Sequence, residues 1–253
     1  MSNQGNRRYN QIGLDRLVRL EWLGKTTRLV LAGNDASEIK DILQSDLSSL
    51  LPASNPAVRG SLDKTVTVLM KTWVRPPADL SLFQQDGLKL LSQLQREHHI
   101  AVHWGMLMAV YPFWGVVASH VGRLLKLQET IVAKQVQRRV KEQYGERETA
   151  ARRARYVLRS FVDWGVLQDL PRRGEYRKGI EIFVDQPALI AWLTEALLRS
   201  KPNGSLPFAE VAGSTSLFPF NVGYLPAEQV AATSGRIEVV RQGFNEEILY
   251  LKR

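Results

Sequence analysis

The chain of 253 residues contains no cysteine. That excludes disulfides, thiolate metal sites and cysteine nucleophiles, and it suits a reducing compartment. Histidine is scarce: His98, His99, His103 and His120 are the only four. His99 and His103 have the i, i+4 spacing of metal ligands on a helix, and Glu97 is near. The His-Glu-x-x-His order of zinc proteases is missing, however, and no third ligand is evident, so no metal is expected. Gly24-Lys25-Thr26 resembles the end of a phosphate loop, but the glycine required five positions earlier is Arg19. There is no Gly-x-Ser-x-Gly elbow, no Gly-x-Gly-x-x-Gly loop and no kinase motif set. Carboxylate pairs such as Asp41 with Asp46 or Glu246 with Glu247 have spacings common on solvated surfaces. The expectation is a non-enzymatic protein with no cofactor.

Long apolar runs are also few. Residues 1–10 are polar, include Arg7 and Arg8, and lack the apolar centre of a signal peptide. One run, 100–119, approaches the length of a membrane span. It carries His103, Gly105, Pro112 and Gly115, and Tyr111-Pro112 reads as a joint between two buried helices. A cytoplasmic protein without membrane contact is expected.

Positive charge is in excess. Thirty-four Lys and Arg against 25 Asp and Glu leave a net +9, which points to a polyanionic partner. The excess is concentrated: residues 134–159 hold nine basic and three acidic side chains, a net +6. Two helical patterns share this stretch, 131–143 and 148–164, separated by Tyr144-Gly145. In the second, Ala150, Ala154, Val157, Leu158 and Phe161 fall on one face, while Arg152, Arg155 and Arg159 fall roughly opposite. Such a helix packs on a core and presents a row of guanidiniums outward. The bland alternative is a solvated basic face with no ligand. After Gly165-Val166-Leu167, a basic loop over 171–179 carries Arg172, Arg173, Arg177 and Lys178 and leads to a strand-like 180–184.

The flanks read as mainly helical. Helices are expected over 13–23, from the Asp35 or Ser37 cap to about residue 51, over 62–74 (with a strand left open by its β-branched residues), over 81–95 with Leu82, Leu90, Leu91 and Leu94 inward, and from Pro187 to the Lys201-Pro202-Asn203-Gly204 stop. Thr27 to Leu31 fits a short strand or another helix. A proline-rich loop spans 51–60. The C-terminus alternates around Gln242-Gly243-Phe244-Asn245 as a hairpin does. The fold class is thus mainly α with small β elements. Three regions are expected: a helical region at 1–95, a central unit at 96–200, and an extension with a hairpin at 201–253.

The Tyr144-Gly145 turn, the long helix ending Phe161-Val162-Asp163-Trp164-Gly165-Val166-Leu167, and the basic loop before Ile180 resemble the winged helix-turn-helix superfamily of prokaryotic DNA-binding proteins. The first helix of the likeness begins near Phe113, and its core covers about a fifth of the chain. The second of the two paired helices is longer than in compact members. The resemblance implies that helix 148–164 enters the major groove of double-stranded DNA. Lys134, Arg138, Arg139, Arg152, Arg153, Arg155 and Arg159 would then contact DNA from the helices, and Arg172, Arg173, Arg177 and Lys178 from the wing. The competing expectation is an interaction subunit whose winged helix docks an acidic protein or RNA, with further protein partners at the N- and C-terminal regions.

Overall fold

The computed structural model describes residues 8–51, 60–145, 148–243 and 246–252. The basic lead at 1–7, the loop at 52–59 and the Phe244-Asn245 turn lie outside the described residues. The fold is mainly α, with three small sheets.

Helix α1 (Leu20–Leu31) starts later than its apolar spacing predicts, and residues 27–31 belong to it. Leu14 and Val18 are buried, but from a non-helical lead that runs along another helix. The Val18 amide donates to Ser160 Oγ at 2.9 Å, and its carbonyl accepts from Trp164 Nε1 at 2.9 Å. These bonds occupy backbone groups that a helix would otherwise pair internally. Helix α2 (Ala36–Ser48) opens on a reciprocal cap: Asp35 accepts from the Ser37 and Glu38 amides, and Glu38 accepts from the Asp35 amide. Residues 61–73 are helix α3 (Ser61–Trp73) rather than a strand, with Val66, Leu69 and Trp73 inward. In α4 (Ser81–Gln93) Phe83, Leu90 and Leu91 are buried. Leu82 is 61% exposed, because Phe83 takes the inward position.

Helices α5 (His99–Val110) and α6 (Pro112–Leu125) meet at the expected Tyr111-Pro112 joint, bent by 118°. Among the described residues no single helix is long and apolar enough to cross a membrane. The apolar run is instead the centre of the protein: every α5 residue from Ile100 to Val110 is buried. Against it packs α9 (Pro187–Arg199), buried from Leu189 onward. Gly105 lets the two helices touch, since a Cβ there would lie 2.5 Å from Trp192 Nε1.

Between α6 and α9 lie strand β1 (Thr130–Val132), helices α7 (Ala133–Tyr144) and α8 (Glu148–Asp163), and strands β2 (Leu167–Asp169) and β3 (Glu175–Lys178). The strands form an antiparallel sheet in the order β1-β3-β2, pairing Ile131 with Tyr176 and Gln168 with Arg177. Two expectations are corrected here. Residues 131–132 belong to β1, not to the helix. The second strand of the hairpin is β3, inside the expected basic loop, while β4 (Ile182–Val184) leaves the hairpin and pairs in parallel with β6 (Phe220–Val222). The change of course occurs at Gly179 and Ile180, whose amides donate to the Val166 and Gly165 carbonyls at 2.9 Å each. A Cβ on Gly179 would sit 1.9 Å from the Gly165 oxygen.

The C-terminal region adds β5 (Ser205–Pro207), α10 (Ala209–Ala212), α11 (Ala227–Ser234), β7 (Ile237–Gln242) and β8 (Glu246–Leu251). The expected hairpin is β7–β8, with β5 along the far side of β8. One core joins all these parts. Trp104 of α5 lies against Phe161 and Trp164 at ring separations of 4.9 and 6.0 Å, and against Phe218 and Phe220 at 5.5 Å each.

Candidate nucleic-acid interface

Helix α8 has the two faces its spacing predicts. Ala150, Ala154, Val157, Leu158 and Phe161 are buried, and Arg152, Arg155 and Arg159 are exposed. The three arginines do not share one fate. Arg159 Nη1 donates to both oxygens of Asp169 on β2 at 2.8 Å. That bond, together with the carboxylate charge, raises the Arg159 pKa against the opposing effect of burial, and a hydrogen bond to Tyr176 adds to it. Arg159 therefore fastens α8 to the sheet. Arg152 and Arg155 form no ion pair among the described residues. The Arg155 charge also acts on the Tyr176 hydroxyl of β3, which places this arginine beside the sheet.

Arg153 is off this row. It shares a flank with Tyr156, Ser160 and Trp164, the flank covered by the lead into α1, and its Nε is closed off from solvent without a partner among the described residues. The lead brings two cations that sequence reading missed. Arg16 lies 6.0 Å from the Tyr156 ring, and Arg19 pairs with Asp163 at 3.4 Å. Asp163 also accepts from the Leu20 amide at 3.2 Å. Burial nevertheless lifts its pKa, against that bond and the Arg19 charge. The C-terminal half of α8 is thus engaged on two sides within the protein, while Arg152 and Arg155 of its N-terminal half are exposed.

The β2–β3 turn holds Arg172 and Arg173 at its tip. Gly174 adopts φ +82°, a conformation open to glycine, and the Glu175 amide donates to the Arg172 carbonyl at 3.1 Å. The Gly174 carbonyl accepts from the Ala133 amide at 2.8 Å, so the first turn of α7, with exposed Lys134, adjoins the tip. Arg172 is 84% exposed with Glu175 at 3.2 Å; Arg173 and Lys134 have no ion pair among the described residues. Arg177 and Lys178 stand at the base of the hairpin instead. Arg177 donates to Gln168 at 2.9 Å, and Lys178 pairs with Glu181. On α7, Arg138 and Arg139 share Glu142 at 3.7 and 3.2 Å. Arg139 turns toward α6, beside His120 and Arg123.

Of the eleven basic residues expected to bind, Lys134, Arg152, Arg155, Arg172 and Arg173 are exposed, with Lys134 next to the wing tip and Arg155 beside the sheet. The other six are held by internal partners or lie on other faces. The Arg159–Asp169 pair has no local sequence signal, because ten residues and a helix end separate its members. The histidines are core and joint residues. His103 packs edge-on to Trp73 at 5.4 Å, and His99 Nε2 lies 3.0 Å from the Leu94 carbonyl. No three His, Asp or Glu side chains converge as metal ligands among the described residues. Compared with protein-family models, curated proteins and solved structures, the chain matches none.

Proposed function

We propose that the chain is a non-enzymatic, winged-helix DNA-binding protein, a regulator or an accessory subunit of a DNA-handling system, that reads duplex DNA with α8. The observation that carries this reading is the exposure of Arg152, Arg155, Arg172, Arg173 and Lys134 on a helix, strand, helix, helix and hairpin order. These cations are exposed on α7, α8 and the two-stranded wing, and four of the five lack an internal anion among the described residues. Guanidiniums that are not neutralised internally suit phosphate and guanine edges, to which their forked donors bond in pairs. In this reading α8, the expected recognition helix 148–164, enters the major groove with Arg152 and Arg155, the wing tip lies over the backbone, and Lys134 meets a phosphate.

The test is binding of labelled duplex DNA by the full chain near 150 mM salt, about physiological, with single-stranded DNA and RNA alongside. Preference for the duplex is expected. Equal or tighter binding of single strands, or none of any of them, contradicts the proposal. A second reading, a docking subunit within an assembly, is favoured by exposed Phe183 (72%) and Ile180 (48%), three residues apart beside the wing base. A chain that ignores nucleic acid, yet pairs with an acidic protein through this surface, would establish it.

A further inference from the structure

A cavity of about 380 Å³ lies between α6, the end of α7 and the turn after α9, with no α8 residue in its lining. One face of α6 forms its floor. The end of α7 and the Ser200-Lys201-Pro202 turn after α9 form its walls, and Tyr9 closes one side. Its lining includes Arg123, Lys201 and His120 and no carboxylate among the described residues. Neither Arg123 nor Lys201 has an ion pair there, and both are exposed. His120 Nε2 is closed off from solvent with no hydrogen-bond partner among the described residues. The Tyr144 hydroxyl donates to the Tyr9 carbonyl at 3.5 Å, which ties the end of α7 to the Tyr9 side of the cavity, and burial pushes its pKa up to about 12. A second furrow of about 450 Å³ continues from the first through His120, Arg123 and Gln143 and adds Arg139; its one carboxylate, Glu142, is already held by Arg138 and Arg139.

From this arrangement we infer a binding site for a small phosphorylated molecule, its phosphate held between Arg123 and Lys201. A forked guanidinium and an ammonium, with no competing anion, suit a phosphate dianion. The volume exceeds what a bare phosphate needs and falls within the range of pockets for small organic ligands. The attached sugar or nucleoside occupies the part of the cavity toward Tyr9 and Tyr144. This site is independent of the DNA surface, because none of its lining residues belongs to α8 or the wing.

The test is titration calorimetry of the full chain with pyrophosphate, ribose 5-phosphate and adenosine 5′-monophosphate, with ribose and adenosine as uncharged controls. Saturable binding of at least one phosphorylated probe is expected with a Kd of about 1 mM or tighter, without binding of the controls. The Arg123→Ala/Lys201→Ala variant should weaken it by about tenfold or more, equivalent to about 1.4 kcal/mol. Arg123→Lys should restore part of the affinity, and Arg152→Ala/Arg155→Ala should leave it unchanged. Both altered positions are exposed, and circular dichroism checks their folding. No saturable binding of any phosphorylated probe overturns the site. So does undiminished binding by a folded Arg123→Ala/Lys201→Ala chain, or loss only in the α8 variant.

Discussion

Arg152, Arg155 and Arg159 occupy one helical row but differ in what surrounds them, and the difference sorts their roles. Arg159 is spent on Asp169 and Tyr176. Replacing it with alanine should loosen the hairpin more than it weakens DNA binding directly. Arg152→Ala and Arg155→Ala should each cost about 1–3 kcal/mol of duplex affinity if they reach base edges, with unfolding unchanged. Equal effects of all three on affinity alone would contradict this sorting. His103 makes a separate prediction. Burial, with the charges of His99 and Arg28, depresses its pKa from 6.5 to about 3. Between these values the unfolded chain takes up a proton that the folded chain refuses. The stability it contributes is therefore complete above about pH 6.5 and is lost as pH falls, with a limiting slope of about 1.4 kcal/mol per pH unit. Burial also lowers the pKa of His120, in the same direction. His103→Gln should flatten the loss of melting temperature between about pH 6 and 4; a parallel decline in the variant would sink the assignment. The arginine row was legible because helical spacing displays it. The roles within the row were not, since Asp169, Asp163 and the Val18 lead reach α8 from distant parts of the chain.

Elements with several turns and one apolar face were read to within a few residues: α2, α3, α6, α8 and α9 all lie where their spacing places them. Short strands were not. β1 and β3 hold three and four residues, too few for alternation to register, and the basic side chains of β3 look like loop. What fixes them is backbone pairing and the close approach at Gly179. Two tight contacts give element-scale tests. A Cβ on Gly122 would lie 2.2 Å from the Thr215 carbonyl, where α6 meets the C-terminal region. Gly122→Ala should cost about 1–3 kcal/mol of stability in urea unfolding, and an unchanged midpoint would refute the contact. Glu195 of α9, 1% exposed, accepts from Arg236 Nε at 2.8 Å and Nη2 at 2.9 Å, and Arg236 also reaches Asp86 of α4 at 2.6 Å. Burial opposes ionisation of Glu195, but the Arg236 and Ser234 hydrogen bonds and the Arg199 charge outweigh it and hold its pKa below the ordinary value. Arg236→Leu leaves part of that buried charge unpaired and should destabilise by about 3 kcal/mol; a loss under about 1 kcal/mol would make the link a surface ion pair in effect.

At the scale of the whole molecule, the fold ties the basic side chains of α8 to a core that residues 113–184 do not own by themselves. Phe161 and Trp164 of the α8 region pack on Trp104, outside the stretch that resembles a winged helix, and Val18 bonds to Ser160 and Trp164. A fragment of residues 113–184 should therefore unfold without a sharp transition, where the full chain unfolds cooperatively. The net +9 was legible from composition, but its distribution was not: seven of the eleven cations, Arg172 included, are paired within the protein or lie on another face. The most direct measurement is duplex affinity against salt for the wild-type chain and for Arg152→Ala/Arg155→Ala/Arg172→Ala/Arg173→Ala. Each phosphate contact adds about 0.9 to the slope of log K against log salt. The variant should bind more weakly and with a slope shallower by about 2 to 4. A folded variant with the wild-type affinity and slope would place the DNA elsewhere on the protein, or nowhere.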